Sequence, residues 1–248
     1  MNTTKIYFAS DFHLGAPNYE ASKKRELRII KWLTEIQKDA TELFLMGDVF
    51  DFWFEYKHVI PKGHTRIFGK LAEISDSGIP IHFFPGNHDM WVGDYFEKEL
   101  GFKIYREPQV ITRNEKSFYL AHGDGLGPGD YNYKILKKVF ASSICKWFFS
   151  WTHPNIGMWI ANTWSLRSRA SQDTEETFLG SENEWLMAHS EEISAENPHD
   201  FFVYGHRHLP IFEKLSKGNL YINLGEWINF DTYGVFDGEQ FQLKEYKG

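Results

Sequence analysis

Cysteine is nearly lacking, because Cys145 is the only one among 248 residues. One thiol cannot form a disulfide within the chain, and it cannot supply a thiolate cluster for a metal ion. An apolar core must therefore hold the fold together, and a hydrophobic content of 42% over this length suffices for one core with an insertion. Scarce cysteine is typical of a reducing compartment, so we expect a cytoplasmic protein.

Long apolar runs are lacking as well. No segment reaches the roughly 18 uninterrupted apolar residues that span a bilayer, because residues such as Lys146 and His153 interrupt the longest candidates. The opening residues Met-Asn-Thr-Thr-Lys contain no basic leader with an apolar stretch and a cleavage site. We therefore predict a chain that is not exported and does not cross a membrane.

Positive charge is in deficit over the whole chain, whose formal net charge is −7. A general nucleic-acid binder needs a clustered cationic surface, so we expect no nucleic-acid partner. The average hides a basic stretch, however, since residues 126–170 carry six basic side chains and one acidic side chain. That stretch is also rich in aromatic residues, so an acidic body holds a basic, aromatic segment.

Short apolar runs alternate with helical periodicity in the first hundred residues. The runs at residues 5–9, 42–46 and 79–84 are typical of buried strands. Helices are predicted between them, over residues 22–38 and 66–75. Alternating strands and helices predict an α/β layered fold.

The second half of the chain contains more strand. Between its strands, residues 131–194 have a helical pattern, with Pro154 and Gly180 as predicted breaks. We therefore divide the chain into a core, residues 1–125 and 195–248, and a helical insertion, residues 126–194. The strand-like runs of this half are residues 117–121, 201–204, 220–224, 233–236 and 241–244.

Five polar motifs stand at the ends of predicted strands. Loops beyond the carboxyl ends of strands in an open α/β sheet converge on one edge, so residues from separate motifs can meet there. Carboxylate, imidazole and amide groups together suit Mn²⁺, Fe or Zn²⁺, and a pair of such ions can activate a water for hydrolysis. The motifs are Asp11-Phe-His13, Gly47-Asp48-Val-Phe-Asp51, Gly86-Asn87-His88-Asp89, His122-Gly-Asp124 and Gly205-His206-Arg-His208.

In this order, the five motifs resemble the signature of the calcineurin-like metallophosphoesterases. The resemblance implies a layered β-sandwich flanked by helices, with the helical segment inserted as a lid. It also implies two divalent metal ions, for which we expect Mn²⁺, with Fe or Zn²⁺ as alternatives. The implied ligands are Asp11, His13 and His208 for one ion, Asn87, His122 and His206 for the other, and Asp48 for both.

The same resemblance implies two catalytic residues. His88 would donate a hydrogen bond or a proton near the leaving oxygen, and Asp51 would orient that histidine. Asn87 would also contact the substrate. For Asp89 and Asp124 we expect a supporting role, in which each caps a turn or orients a ligand.

The insertion has one apolar face. Residues 135–151 place apolar side chains at helical spacings with lysines at the margins, and residues 156–166 add further aromatic residues. Two interpretations stay open. The face is buried against the core, or it is an interfacial surface near anionic lipid or a lid over an acyl chain, and the two do not exclude each other.

A phosphoesterase core with such a lid resembles the UDP-2,3-diacylglucosamine hydrolases of lipid A biosynthesis, and the segment Asn223-Leu-Gly-Glu-Trp227 is similar to a strand end of that family. This resemblance implies that metal-activated hydroxide cleaves the pyrophosphate of UDP-2,3-diacylglucosamine to lipid X and UMP. The reaction would take place at the inner face of the inner membrane, with peripheral contact through the lid. Asp130, Arg167 and Arg169 would contact the sugar or its phosphates, because arginines suit bidentate phosphate contacts.

Two alternative functions remain. A phosphodiesterase or nucleotide pyrophosphatase acting on a soluble substrate would use the same chemistry, but it would not explain the apolar lid. A non-catalytic scaffold on the same fold would have lost ligands, whereas all seven expected ligands are present in the sequence.

Overall fold

The architecture is taken from a computed structural model that describes residues 4–129, 131–161, 163, 178, 180 and 183–248. In this part of the chain, two β-sheets pack face to face. The inner faces contribute alternate residues of the strands, such as Ile6 and Phe8 from the first sheet and Phe118 and Leu120 from the second. This burial of large apolar side chains between the sheets forms the central core.

The first sheet has six strands in the order β11-β10-β1-β2-β3-β4. The neighbours β1 to β4 run parallel, and β10 and β11 are antiparallel additions beside β1. Its strands are β1 (Ile6–Ala9), β2 (Glu42–Leu45), β3 (Ile81–Phe83), β4 (Lys103–Ile104), β10 (Thr232–Phe236) and β11 (Phe241–Glu245).

The second sheet has five strands in the order β5-β6-β7-β9-β8. Its centre, β6-β7-β9, is parallel, and an antiparallel strand lies at each edge. Its strands are β5 (Gln109–Arg113), β6 (Lys116–Leu120), β7 (Phe201–Tyr204), β8 (Pro210–Lys214) and β9 (Leu220–Leu224).

Helices cover the outer faces of both sheets. The outward residues of β1 and β2 pack with Ile29, Trp32 and Leu33 of α1 and with α2, while Leu186 and Met187 of α6 pack on the outer face of the second sheet. The helices are α1 (Tyr19–Ile36), α2 (Thr65–Asp76), α3 (Tyr95–Leu100), α4 (Tyr131–Ala141), α5 (Ser143–Ser150) and α6 (Trp185–Glu196), and residues 154–161 are also helical.

The resulting order of helix, sheet, sheet and helix is the predicted α/β fold, a layered β-sandwich flanked by helices. The predicted strands at residues 5–9, 42–46 and 79–84 are confirmed as β1, β2 and β3. The division into a core and an insertion over residues 126–194 stays a prediction. No helix in the described ranges combines the length and the apolar character that crossing a bilayer requires.

Candidate metal centre

The five motifs follow five parallel strands. The loops after β1, β2 and β3 come from the first sheet, and the loops after β6 and β7 come from the second. Because the carboxyl ends of these strands lie at one end of the sandwich, the motif side chains meet there. The structure brings the seven predicted ligands into two adjoining groups.

The first group contains Asp11, His13, Asp48 and His208, whose donor atoms lie within 4.8 Å of one another. The Nε2 atom of His208 is 3.4 Å from Oδ1 of Asp11 and 3.1 Å from Nε2 of His13. The Nε2 atom of His13 is 4.0 Å from Oδ2 of Asp48. Four donor atoms converge at one point.

The second group contains Asp48, His122 and His206. Oδ2 of Asp48 lies 3.3 Å from Nε2 of His122, which is in turn 3.4 Å from Oδ1 of Asn87. Asp48 is therefore common to both groups, which is the position predicted for a carboxylate shared between two ions. Asn87 borders the second group through its amide oxygen.

The donor atoms fit divalent cations. Oδ1 of Asp11 and Oδ2 of Asp48 are buried and accept no hydrogen bond from any described residue. Burying a carboxylate oxygen without a partner is costly, so these atoms call for a positive charge at the point where the imidazoles converge. A divalent ion bound by oxygen and nitrogen ligands supplies that charge compactly.

The pKa values of the histidines also indicate a shortage of positive charge in the site. Burial alone would lower the pKa of His13, but its contacts with Asp11 and Asp51 outweigh burial and raise it to about 10. Burial alone would also lower the pKa of His122, but the negative charge of Asp48 outweighs burial and raises it to about 10. The pKa of His206 is lowered to about 4, by burial and by the neighbouring charge of His122. Carboxylates without sufficient positive charge thus pull protons onto two of the imidazoles.

The backbone of the site is strained. Asp11, His13, Asp48, His206 and His208 all have left-handed φ values between 44° and 69°. Each such conformation costs on the order of 1–3 kcal/mol in a residue other than glycine, so the surroundings must impose it. Hydrogen bonds between the loops do so, since Asp11 N donates to Gly47 O and His13 N donates to Asp48 O, both over 2.9 Å.

His88 lies beside the first group. Its backbone N–H donates to Oδ1 of Asp48 over 2.8 Å, and burial lowers the pKa of its imidazole. Its Nδ1 is 2.9 Å from the carbonyl oxygen of Asp51 but 3.8 Å from the carboxylate of that residue. The peptide carbonyl of Asp51 therefore orients His88, while the Asp51 carboxylate stands 3.7 Å from Nδ1 of His13. The catalytic roles of His88 and Asp51 stay predictions.

Asp89 supports the ligand loops, as expected, whereas Asp124 contacts the insertion. The buried carboxylate of Asp89 accepts hydrogen bonds from Gly86 N over 2.7 Å and from Val49 N over 2.8 Å, which joins two motif loops. The carboxylate of Asp124 lies 2.7 Å from Lys137 Nζ and accepts from the Tyr133 hydroxyl over 2.9 Å. Asp124 thus links a motif to helix α4 of the insertion.

Some supporting residues were not foreseen from the sequence. The buried side chain of Arg25 on α1 donates to the carbonyl oxygens of Phe12, His13 and Ala16 over 2.5–2.6 Å. Trp227 N donates to Asp11 O over 3.2 Å. The helical spacing of α1 places Arg25 on the buried face with Ile29 and Trp32, but it does not identify the partners, which are peptide carbonyls of another segment.

Asp130, Arg167 and Arg169 lie outside the described residues, so their predicted substrate contacts stay predictions. Aromatic contacts attach the described part of the insertion to the core, in addition to the polar contacts of Asp124. The Phe149 ring lies 4.7 Å from the rings of both Phe54 and Trp91, and Trp91 Nε1 donates to Phe140 O over 2.8 Å.

Most of the predicted apolar face is exposed instead of buried. Among the described residues, the exposed fraction is 76% for Trp151, 68% for Trp159 and 57% for Trp147. Among the described residues, the interpretation in which the core covers this face holds in part, for half-buried side chains such as Phe140 and Phe149. It does not hold for the exposed side chains. The other large apolar side chains exposed there are Tyr131, Ile135, Val139, Ile144, Phe148, Ile156 and Ile160.

Comparisons with known proteins agree with this geometry. A sequence profile described as "Calcineurin-like phosphoesterase" matches residues 4–210. A UDP-2,3-diacylglucosamine hydrolase from Porphyromonas gingivalis is 37% identical over 97% of this chain and 97% of the relative. Proteins with the same name from Edwardsiella ictaluri and Haemophilus influenzae are each 25% identical, over 92% and 89% of this chain and 89% and 90% of the relatives.

Proposed function

Because the chain belongs to the calcineurin-like phosphoesterase family and is therefore a metal-dependent hydrolase of phosphate esters or anhydrides, we propose that it cleaves the pyrophosphate of UDP-2,3-diacylglucosamine to lipid X and UMP. One observation carries the choice of substrate. The insertion exposes an apolar surface, and its helix α4 contacts Trp91 and Asp124 in the loops of the candidate metal centre. A substrate with a diphosphate and acyl chains needs both surfaces side by side.

Two divalent ions are proposed for the site. Asp11, His13 and His208 would hold one ion, Asn87, His122 and His206 would hold the other, and Asp48 would bridge them. When bound, such ions lower the pKa of a water molecule and neutralise charge on the phosphoryl oxygens. Mn²⁺ is the ion we propose, and the mixed donor set also accepts Fe or Zn²⁺.

His88 would assist departure of the leaving group. Its Nδ1 is held by the Asp51 carbonyl, so Nε2 is left to face the reacting phosphate. Donation from Nε2 requires the imidazolium form, because Nδ1–H already donates to that carbonyl; the lowered pKa makes this form a stronger acid but a smaller fraction of His88 at neutral pH. Asp51, between His13 and His88, would hold both rings in place, and Asn87 would also contact a phosphate oxygen.

The insertion would receive the lipid. The exposed rings of Trp147, Phe148 and Trp151 provide apolar contact area. Lys146 lies in the same helix, α5, and Lys138 lies in the preceding helix, α4. This combination suits peripheral contact with an anionic membrane surface, here the inner face of the inner membrane of a cytoplasmic enzyme. Asp130, Arg167 and Arg169 remain proposed contacts of the sugar phosphates.

The test is hydrolysis of UDP-2,3-diacylglucosamine in detergent micelles by metal-stripped protein to which Mn²⁺ is returned. We expect Mn²⁺-dependent formation of UMP and of the lipid monophosphate in equal amounts. The matched control is Asp48→Asn, which preserves side-chain size but removes the shared charge. Hydrolysis of a small phosphodiester without any turnover of the lipid would reject the substrate and leave the hydrolase assignment intact.

A further inference from the structure

Arg207 occupies an unusual position in the last motif. It stands between His206 and His208, the proposed ligands of different ions, and both histidines have left-handed backbones with φ of 69° and 55°. The intervening turn is tight, since Arg207 N donates to Gly205 O over 2.8 Å. A change in the position of the Arg207 side chain would therefore shift both proposed ligands.

The side chain of Arg207 is directed to the part of the insertion where α6 begins. Its Nε lies 3.0 Å from both carboxylate oxygens of Glu184, the residue that precedes α6. The guanidinium also stacks on the Trp185 ring at 4.6 Å. Only 12% of the Arg207 side chain and 3% of the Glu184 side chain are exposed. Removing one partner would leave a buried charge, so this contact strongly favours a single geometry.

The beginning of the insertion meets the same point. A Cβ atom at Gly127, three residues after Asp124, would lie 2.6 Å from the carbonyl oxygen of Trp185. Gly127 also has a left-handed φ of 71°, so its close approach to Trp185 depends on the lack of a side chain. The beginning of the insertion and the first residue of α6 are therefore packed together at Trp185, beneath the guanidinium of Arg207.

We propose that Arg207 is a positioning residue that couples the attachment of the insertion to the orientation of His206 and His208. This role rests on the proposed function, because it presumes that the two histidines bind metal. The coupling between metal binding and docking of the insertion is reciprocal. If the docked insertion favours metal binding, then bound metal must favour the docked insertion by the same factor.

The test measures Mn²⁺ affinity by calorimetry on metal-stripped protein, for the wild type, Arg207→Lys, Glu184→Gln and the double variant. Residues that orient metal ligands typically contribute 10- to 100-fold to affinity, so we expect each single variant to bind Mn²⁺ about tenfold more weakly. The double variant should be little weaker than either single variant, because both remove the same interaction.

The matched control is the ion pair of Arg113 and Glu42, in which Arg113 Nε is 2.6 Å from the carboxylate. Glu42 begins β2, at the end of the strand opposite the Asp48 loop. Arg113→Lys and Glu42→Gln should lower the melting temperature without changing Mn²⁺ affinity. If Arg207→Lys fails to fold, Glu184→Gln carries the test, since it preserves the shape of the buried side chain.

A second readout follows hydrogen exchange of the α4 amides. In the wild type, Mn²⁺ should slow this exchange, and in the Arg207 and Glu184 variants the protection should be lost. Folded variants that bind Mn²⁺ within twofold of the wild type would overturn the coupling and leave the proposed function standing. A wild type that binds none of Mn²⁺, Fe and Zn²⁺ would overturn both.

Discussion

The metal centre and the insertion depart from ordinary protein architecture in opposite ways. At the metal centre, charged residues are buried, with Asp11, Asp48 and His122 each less than 5% exposed. In the insertion, large apolar residues are exposed, and Trp151 and Tyr131 are about three-quarters accessible. Polar groups inside and apolar groups outside both cost free energy in the isolated chain.

These two departures indicate where each region binds a ligand. Buried unpaired carboxylate oxygens are satisfied by cations, and an exposed aromatic surface is satisfied by an apolar partner. The two regions are also joined, through Trp91 to Phe140, through Asp124 to Lys137 and through Arg207 to Glu184. The proposed substrate would account for both departures, because its diphosphate would bind the cations held by the carboxylates and its acyl chains would cover the aromatic surface.

Loss of the shared carboxylate should have the largest effect. Asp48→Ala removes a ligand from both proposed ions, so hydrolysis of any phosphate ester should fall on the order of 10³-fold or more. Initial rates on a small phosphodiester measure it. Asp94→Asn, at an exposed aspartate, serves as the control and should be neutral. Activity within tenfold of the wild type would contradict the two-ion site.

Replacement of His88 should separate chemistry from metal binding. His88→Ala should retain the bound metal, since His88 groups with His13 and Asp51 and belongs to neither of the two groups that share Asp48. The turnover number should fall about 10²- to 10⁴-fold, as expected when a general acid is lost. Metal content by mass spectrometry and kcat together test this. Loss of metal in proportion to activity would show that His88 acts as a ligand.

Two aromatic positions of the insertion should respond in opposite ways. Trp151→Ala removes an exposed ring, so the melting temperature should stay unchanged while vesicle binding weakens by about tenfold, since burying a large apolar side chain contributes about 1.5–3 kcal/mol. Phe149→Ala removes a ring packed on Phe54 and Trp91 and should lower stability. Sedimentation with anionic vesicles and thermal melts separate the two. Equal losses of stability would mean that the core covers Trp151.

The ion pair of Glu42 and Arg113, which is remote from both regions, should affect the free energy of unfolding without affecting activity. Burial raises the pKa of Glu42, but hydrogen bonds from His82 and Arg113 outweigh burial and lower it to about 2. The pair therefore stabilises the fold fully above pH 4.5, and its contribution is lost as the pH falls from 4.5 through about 2. Chemical denaturation of wild type and Glu42→Gln should differ by no more than about 2 kcal/mol at pH 7, allowing for solvent screening, and should converge near pH 2. A difference that is constant with pH would exclude this origin.

The strands that carry the site were predictable because they are short, apolar and buried. β1, β2, β3, β6 and β7 each stand out against polar loops, and their motifs follow at once. The edge strands β4, β5 and β8 and the short helix α3 were not predicted. Their side chains are mostly exposed or half-buried, as in β5, so their sequences show no strong contrast with a loop.

The composition of the ligand set could be inferred from residue types and their order, but its supports could not. The left-handed backbones at Asp11, Asp48 and His206 arise from hydrogen bonds between loops that are distant in sequence. Arg25 and Glu184 likewise support the site only through partners that lie 9–23 residues away or on another element. No local pattern encodes such contacts.

By itself, the sequence determined which residue types stand at the strand ends and that the insertion has an apolar, basic character. These are properties of neighbours along the chain, where periodicity and motif spacing act. Only the tertiary structure decided that Asp48 lies between two ligand groups and that the Trp151 face turns to solvent. Both depend on how two sheets and the insertion pack, because convergence and burial are set by contacts between segments far apart in the chain.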